Sequence, residues 1–413
     1  MKHEPDGLPA MYRVSPFVSR FAHALLAGVV LATVWVNLSP GSYYDALEWR
    51  LFDLDLPGWL APMPVSVTPM LIVSDLLMTF FVAFIGKEFW EALVLTRGAM
   101  AGRRAIVPVA GILGGALGAI VVWIAVAAMI ETAEEASFAL GWQVPVGGDV
   151  VLAYVVARGV FGAGHPALHV SLLLTIGLDI LGLLLTGLTD PEAILRLAWL
   201  ALPALAVLLV WALVARGLTP DLPEARRRRA LALWPYVLAG GLSWFGVAAS
   251  GLPPALGLLP VIPVIPHADR SFGVFAEAEE FLHDPLNRLA HLLVRPLAVV
   301  LFFFGLTRGG IDLAAFAPTT LVLLAAVWLG KPLGLLAGLA MAVGGLGVRL
   351  PAGLGLREVL LVAMIAGMGF TVPVLALESA LPGGAMAEAA RLGLALSLLA
   401  GPLALLAGRV LPR

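Results

Sequence analysis

Three charged residues lie in stretches that are otherwise almost entirely apolar. Asp149 directly follows the run VPVGG, Asp179 interrupts LLLTIGLDILGLLL, and Lys331 lies in WLGKPLGLLAG. A charged side chain at the centre of a bilayer costs roughly 2.5 kcal/mol or more, so such residues usually face a bundle interior or a water-filled path. A carboxylate in such a path can bind a cation or a proton, which makes these residues the candidate site.

The surroundings of each charge leave two interpretations open. A proline and two glycines before Asp149 predict an interrupted helix with unpaired N–H groups and a partial positive charge. Asp149 is therefore either a helix cap inside the membrane or a direct ion ligand. No break surrounds Asp179, which favours pairing with Lys331 or binding of an ion or proton. Lys331 either reaches the membrane interface along its own stem or pairs with a buried aspartate.

Two further acids lie at opposite ends of the second apolar segment. Asp75 follows Ser74 and can be read as part of a helix start, with Ser74 near the cap. Glu88 lies beside Lys87 and within reach of Arg97, so a local ion pair is the plain alternative to a functional role.

Composition places the chain in a membrane. Of its 413 residues 61% are hydrophobic and only 13% are charged, against about 25% charged residues in soluble domains. The net charge of −2 excludes a nucleic-acid partner, and the absence of cysteine excludes thiolate chemistry. No phosphate-binding loop or mid-membrane histidine is present, so we expect no cofactor.

Apolar segments of about 20 residues can each cross a bilayer as a helix. The chain has twelve such segments, of which the eighth is short and rich in proline. They are residues 19–38, 70–93, 105–130, 137–161, 167–188, 193–215, 231–250, 254–265, 289–307, 317–343, 356–378 and 388–407.

The basic residues predict the orientation of these segments. With both termini in the cytoplasm, 20 of the 25 lysines and arginines fall on the cytoplasmic side, as the positive-inside rule requires. The run Arg226–Arg229 is interpreted as a topology anchor, and the polar stretch 267–288 as an amphipathic cytoplasmic connection.

The two halves of the chain show a weak internal symmetry. We treat residues 1–413 as one transmembrane domain with halves at 19–215 and 231–407. Val144–Asp149 interrupts the fourth segment, and Gly367–Pro373 interrupts the eleventh. Paired breaks at matching positions are typical of inverted-repeat transporters, whose site lies at the breaks.

Six segments resemble bacterial sodium/proton antiporters of the NhaA family, in the family's order and over most of the chain. They are SDLLMTFFVAFIGKE from Ser74, GWQVPVGGDVVLA from Gly141, LDILG from Leu178, SGLPPALG from Ser250, GKPLG from Gly330 and GMGFT from Gly367.

This resemblance implies an all-α fold of about twelve transmembrane helices in inverted repeats. Two broken helices would cross at mid-membrane, one of them interrupted at Gly367, Gly369 and Thr371. The implied function is exchange of Na⁺ or Li⁺ for protons across the bacterial inner membrane, regulated by pH. The chain would be a transporter rather than an enzyme.

The resemblance also implies roles for single residues. Asp149 matches the aspartate that compensates the helix dipoles at the crossing, and Lys331 matches the lysine beside the ion site. Glu88 matches the first acid of a pH-sensing cytoplasmic entrance, to which we also assign Asp75.

The chain departs from the family at the ion site. With Leu181 and Gly182 as anchors, Asp179 replaces the first of two adjacent aspartates and Ile180 replaces the second, which is expected to ligate the cation most directly. The other departures replace a threonine, a histidine, an asparagine and a second sensor acid, in that order, by Gly148, Pro253, Arg308 and Ala92.

Two functions are compatible with this pattern. One is an antiporter of altered stoichiometry or reduced activity in which Asp179 titrates and binds H⁺ or Na⁺. The other is a transport-silent homologue that serves as a structural or regulatory membrane subunit. Under the second we expect a buried Asp179–Lys331 ion pair and weak or absent exchange. Ile180→Asp would restore the paired-acid pattern and with it some activity. The expected partners are Na⁺ or Li⁺, H⁺, the lipid bilayer, and a second copy or a membrane complex.

Overall fold

The protein is described by a computed structural model that covers residues 13–55, 57, 65–95, 100–131, 141–190, 194–215, 230–267, 273–351, 353–381 and 383–411. Within these residues, ten helical segments are long and apolar enough to cross a membrane, which confirms the all-α class. They are α1 (Phe17–Leu38), α3 (Pro69–Leu93), α4 (Gly102–Ile130), the interrupted segment Val144–Phe161, α6 (Pro166–Thr189), α7 (Leu197–Val214), α9 (Pro285–Arg308), α10 (Pro318–Gly345), the interrupted segment Leu356–Leu377 and α13 (Ala385–Val410).

Two predicted spans are shorter than expected. The seventh is α8 (Trp234–Ala249), and the eighth is the pair of 3₁₀ turns Pro254–Leu256 and Leu259–Val264. Proline removes an N–H donor and disfavours a regular α-helix, which explains the tighter turns. At about 2 Å of rise per residue, the eighth segment is shorter than the roughly 30 Å hydrocarbon core.

Both predicted helix breaks are present. In the first, a 3₁₀ turn at Val144–Val146 is followed by extended backbone at Gly147, and α5 (Val150–Phe161) begins after Asp149. In the second, α11 (Leu356–Ala366) stops before Gly367, and α12 (Thr371–Ala380) follows.

Glycines let two pairs of helices pack backbone against backbone. A Cβ added at Gly118 would overlap the carbonyl of Gly330, and one at Gly114 would overlap the carbonyl of Gly334, so α4 and α10 run antiparallel in direct contact. Gly28 of α1 has the same relation to Phe302 of α9. Small residues at such spacing are how membrane helices approach closely.

Small elements outside the long helices complete the chain. A helix, α2 (Pro40–Leu47), follows α1, and an antiparallel hairpin of β1 (Phe52–Leu54) and β2 (Val65–Val67) follows α2. This hairpin was not expected from the sequence. The anchor assigned to Arg226–Arg229 lies outside the described residues, as does part of the connection 267–288.

Candidate functional site

Asp149 caps two helices at once. Its Oδ1 accepts a hydrogen bond from Leu152 N in α5 (2.8 Å), and its Oδ2 accepts from Thr371 N (3.1 Å) and Thr371 Oγ1 (2.6 Å) at the start of α12. Free N–H groups and the positive end of the dipole lie at such helix starts, so the fully buried carboxylate complements both. The predicted contact between Asp149 and the second break is confirmed.

Lys331 binds the other side of the crossing. Its Nζ donates to the carbonyl of Gly147 at 2.6 Å, and a Cβ placed at Gly369 would lie 3.6 Å from the same Nζ. The side chain is fully buried, so its ammonium group does not reach the membrane interface. Asp149 thus faces the N–H groups of the breaks, and Lys331 faces a carbonyl.

Asp179 projects from the middle of α6 into this crossing. Its Oδ1 accepts a hydrogen bond from Gly148 N at 2.7 Å. Within the described part of the chain, its Oδ2 has no hydrogen-bond partner, although the residue is 1% exposed. A buried carboxylate oxygen without a donor is costly, and it is a ready ligand for a cation or a proton.

The predicted ion pair between Asp179 and Lys331 is not formed. The two charges bind adjacent peptide groups, one at Gly148 N and the other at Gly147 O, and no direct contact joins them among the described residues. The broken backbone supplies an N–H donor and a carbonyl acceptor between them. The sequence alone does not show these backbone partners, which is why an ion pair was expected.

The neighbours of Asp179 on α6 face different surroundings. Leu178 is fully buried, and a Cβ placed at Gly115 of α4 would lie 3.6 Å from both Leu178 Cδ2 and the carbonyl oxygen of Lys331. Ile180 is only partly buried. Residues two apart on a helix point about 200° apart, so Ile180 faces away from the Lys331 side. Leu178 is the neighbour that faces Lys331.

Thr175 fills the space left by glycine at position 148. A Cβ placed at Gly148 would lie 2.7 Å from Thr175 Cγ2, 3.6 Å from Asp179 Oδ1 and 3.8 Å from the carbonyl oxygen of Met368. Thr175 Oγ1 donates to Ser171 O at 2.9 Å. The methyl group of Thr175 thus fills this space, one turn before Asp179 on α6.

Comparison with known proteins agrees with this geometry. The profile of the Na⁺/H⁺ antiporter 1 family matches residues 18–408. A relative from Jannaschia sp. (strain CCS1), the Na(+)/H(+) antiporter NhaA, is 37% identical over 97% of this chain and 98% of its own length. The Na(+)/H(+) antiporter NhaA 2 of Pelobacter propionicus is 33% identical over 95% of this chain and 96% of its own.

The chain belongs to the Na⁺/H⁺ antiporter 1 family. A third relative, from Geotalea uraniireducens, is 32% identical over 95% of both chains. The resemblance inferred from six short segments is thus confirmed over nearly the whole length, and the protein is a multi-pass membrane protein.

This family member contains a second buried charge cluster, at the C-terminal end of α3. Lys87 Nζ lies 3.0 Å from Glu88 Oε1, 2.8 Å from Glu91 Oε2 and 2.8 Å from Glu279 Oε2. All four residues are buried. The local pairing of Glu88 with Lys87 is confirmed, whereas Arg97 lies outside the described residues.

Glu279 joins this cluster from the segment between the 3₁₀ turns and α9. Burial raises the pKa of its carboxyl group well above the ordinary value, and the Glu88 charge raises that pKa further, against the opposing effect of Lys87. Glu88 Oε2 also accepts a hydrogen bond from Phe275 N at 2.5 Å, and the Phe275 ring stacks on Phe84 with centroids 5.5 Å apart. The cluster therefore anchors residues 275–279 on α3.

Asp75 does not share an entrance with Glu88, which corrects the sequence-based grouping. It lies near the opposite end of α3, where it borders a separate cavity of about 390 Å³ together with Ser74, Thr186 and Arg308. Arg308 Nε donates to Ser74 Oγ at 2.7 Å. The helix begins earlier than predicted, at Pro69, and Thr68 rather than Ser74 is its cap.

Sequence reasoning singled out Asp149, Asp179 and Lys331 but missed other members of both sites. Thr175 gives no sequence signal, because a threonine in an apolar helix usually bonds its own backbone. Glu91 follows Lys87 at the i,i+4 spacing of an ion pair, which could have revealed it. Glu279 lies in a polar stretch of mixed charge, which reads as solvated surface.

Proposed function

We propose that this protein exchanges Na⁺ or Li⁺ for protons across the bacterial inner membrane, with Asp179 as the carboxylate that binds either ion. The observation that carries the proposal is the buried Oδ2 of Asp179, which lacks a hydrogen-bond partner within the described residues. The family supports the same activity, since its curated relatives are named Na(+)/H(+) antiporters.

The two bound states follow from the chemistry of one carboxyl group. A proton on Oδ2 neutralises Asp179 and removes the cost of a buried charge. When the proton leaves, the carboxylate attracts a small cation, for which oxygen atoms are the preferred ligands. The Met368 carbonyl lies beside position 148 together with Asp179 Oδ1. Rotation of Thr175 about χ1 would add a hydroxyl oxygen to the same site. Cation and proton therefore compete for one oxygen, which is the basis of exchange.

A single exchanging carboxylate fixes the stoichiometry. Asp149 is committed to three hydrogen bonds at two helix starts, and Lys331 is committed to the Gly147 carbonyl. If neither gains nor loses a proton in the cycle, one proton is exchanged for one monovalent cation and no net charge crosses the membrane. Clamping the membrane potential with potassium and valinomycin should then leave the exchange rate unchanged.

The direct test uses inverted membrane vesicles and a pH-sensitive dye. Addition of Na⁺ or Li⁺ should dequench the dye for the unmodified protein and fail to do so for Asp179→Asn. The amide oxygen of Asn can still accept from Gly148 N, so the variant should remain folded. Asp45→Asn is a matched control, since Asp45 is exposed on α2.

Equal dequenching by the unmodified protein and Asp179→Asn would refute the assigned carboxylate. Absence of dequenching in well-folded, inserted protein would favour the transport-silent subunit instead.

We also predict that both termini are cytoplasmic and that the protein assembles as a homodimer or within a membrane complex. Reporter fusions at both ends and cross-linking in native membranes would test these points.

A further inference from the structure

A basic cavity lies where α4 begins and α10 ends. The antiparallel glycine contacts between these helices bring the start of α4 next to the end of α10. The cavity between them has a volume of about 540 Å³. It is lined by Met100, Arg103, Arg104 and residues 347–351, which include Arg349.

Three arginines face this cavity without a counter-ion. Arg103, Arg104 and Arg349 are exposed, and within the described part of the chain none of them forms an ion pair or a hydrogen bond. None of the described residues that line the cavity is acidic. Three guanidinium groups around one concavity repel one another, and an anion bound between them would relieve that repulsion.

The cavity has an apolar wall as well as a charged one. Met100 and Val348 are buried in its floor, and Leu350 and Pro351 complete the wall. It lies at the ends of two apolar helices, the depth at which lipid headgroups meet the hydrocarbon core. The positive end of the α4 dipole points the same way. A ligand that fits both walls is anionic at one end and apolar at the other.

We propose that this cavity binds the phosphate headgroup of an anionic phospholipid from the surrounding leaflet. The three arginines would contact the phosphate oxygens, and the first acyl carbons would cover Met100 and Val348. Basic pockets between membrane helices on the cytoplasmic side bind such headgroups. Because neither Asp179 nor Lys331 lines this cavity, the proposal stands independently of ion exchange.

The test measures thermal unfolding of the purified full-length protein in detergent as lipid is titrated. Phosphatidylglycerol and cardiolipin should raise the Tm, whereas phosphatidylcholine should not. The variant Arg103→Gln/Arg104→Gln/Arg349→Gln should lose this response. Each arginine near a lipid surface contributes on the order of fivefold in affinity, so we expect the apparent affinity for phosphatidylglycerol to fall about a hundredfold.

A second triple variant controls for general loss of positive charge. Arg20→Gln/Arg295→Gln/Arg409→Gln removes three other exposed arginines on the predicted cytoplasmic side and should keep the full lipid response. Inorganic phosphate at the same concentration distinguishes a free anion from a lipid, and it should leave the Tm unchanged.

The variant Arg349→Glu keeps the test informative if the Gln triple variant fails to fold. Its carboxylate can pair with the other two arginines and occupy the anion position, so this protein should be stable without lipid and insensitive to phosphatidylglycerol. The proposal is wrong if Arg349→Glu keeps the wild-type lipid response, if both triple variants lose it equally, or if inorganic phosphate reproduces it.

Discussion

The crossing and the Lys87 cluster each bury a lysine among carboxylates, but they neutralise the charges differently. At the crossing the backbone binds Asp149, Asp179 and Lys331 separately. In the cluster a single ammonium group contacts three carboxylates directly. Backbone partners leave one oxygen of Asp179 available, whereas mutual pairing commits all the charges to one another. The first arrangement suits an exchange site, and the second suits a structural role that holds residues 275–279 on α3.

Removing each lysine should give the largest contrast between the two regions. Lys87→Met leaves three buried carboxylates without a cation and should lower the free energy of unfolding by roughly 3–5 kcal/mol, the usual cost of breaking a buried ion pair from one side. Lys331→Met removes a single hydrogen bond to a carbonyl and should cost less. Thermal unfolding of both purified variants measures the difference. A larger loss for Lys331→Met would show that the crossing is also held by direct charge pairing.

Asp149→Ala should destabilise the protein next most. The substitution leaves the first turns of α5 and α12 without their shared acceptor, at about 0.5–2 kcal/mol for each cap. Thr371→Val removes only the hydroxyl bond and should cost a fraction of that loss. Thermal unfolding of the two variants compares them. Equal stability of Asp149→Ala and wild type would contradict the double-cap assignment.

Glu279→Gln should change the dependence of stability on pH. Because the folded-state pKa of Glu279 is raised by burial, folding favours the protonated carboxyl group. Its contribution is full below the ordinary glutamate pKa and is lost as pH rises through the raised value. The Tm of wild type should therefore fall more steeply with rising pH than that of Glu279→Gln. Glu277→Gln, on the same turn, is the control, and parallel pH curves would contradict the assignment.

Thr175→Val should have the smallest effect, on transport alone. Valine keeps the shape of threonine but removes the oxygen, so the apparent affinity for Na⁺ should fall several-fold, the value of one hydrogen-bonding ligand of about 1 kcal/mol. Thr175→Ser should retain the wild-type value. Thr189→Val is the control, because Thr189 makes the same backbone bond on an exposed part of α6. An unchanged affinity in Thr175→Val would exclude the hydroxyl as a ligand.

Local sequence was enough to predict the two helix breaks, because glycine and proline disfavour a regular helix. The residues around Asp149 left it as either a helix cap or an ion ligand, and its hydrogen bonds to α5 and α12 show the cap. The hydrogen-bond partner of a residue far away in the sequence was not predictable in the same way. Lys331 could reach either Asp179 or Gly147, and only the folded backbone shows that the carbonyl is its partner.

The members of the Lys87 cluster could not be predicted from the sequence for a different reason. Glu279 lies 192 residues from Lys87, in a stretch whose charges suggest solvent. Whether a charged loop is solvated or buried depends on what packs against it, here α3 and the segment near Ser15 that pairs with Phe275. The hydrophobic pattern and the composition of the sequence do not show which segment will pack against such a loop. The sequence likewise does not show whether Leu178 or Ile180 lies on the Lys331 side of Asp179, because this depends on how α6 packs against α4.

The bonds that converge on the crossing have a mechanical consequence. Asp149 fastens α5 to α12, Lys331 fastens the first break to α10, and Ser397 of α13 accepts a hydrogen bond from Gly369 N at 3.1 Å. None of these bonds can open without leaving a buried polar group unsatisfied. The joined helices must therefore move as one block.

If Asp179 is accessible from one side of the membrane and then from the other, the change in access must occur at the edge of this block. The cavity bordered by Asp75 lies at such an edge, between Leu375 of the block and Ser74 of α3. This cavity marks a seam, defined as the boundary between the block and α3, along which the block and α3 can separate and close. Because the chain has no cysteine, one introduced pair across the seam would lock it in a single position.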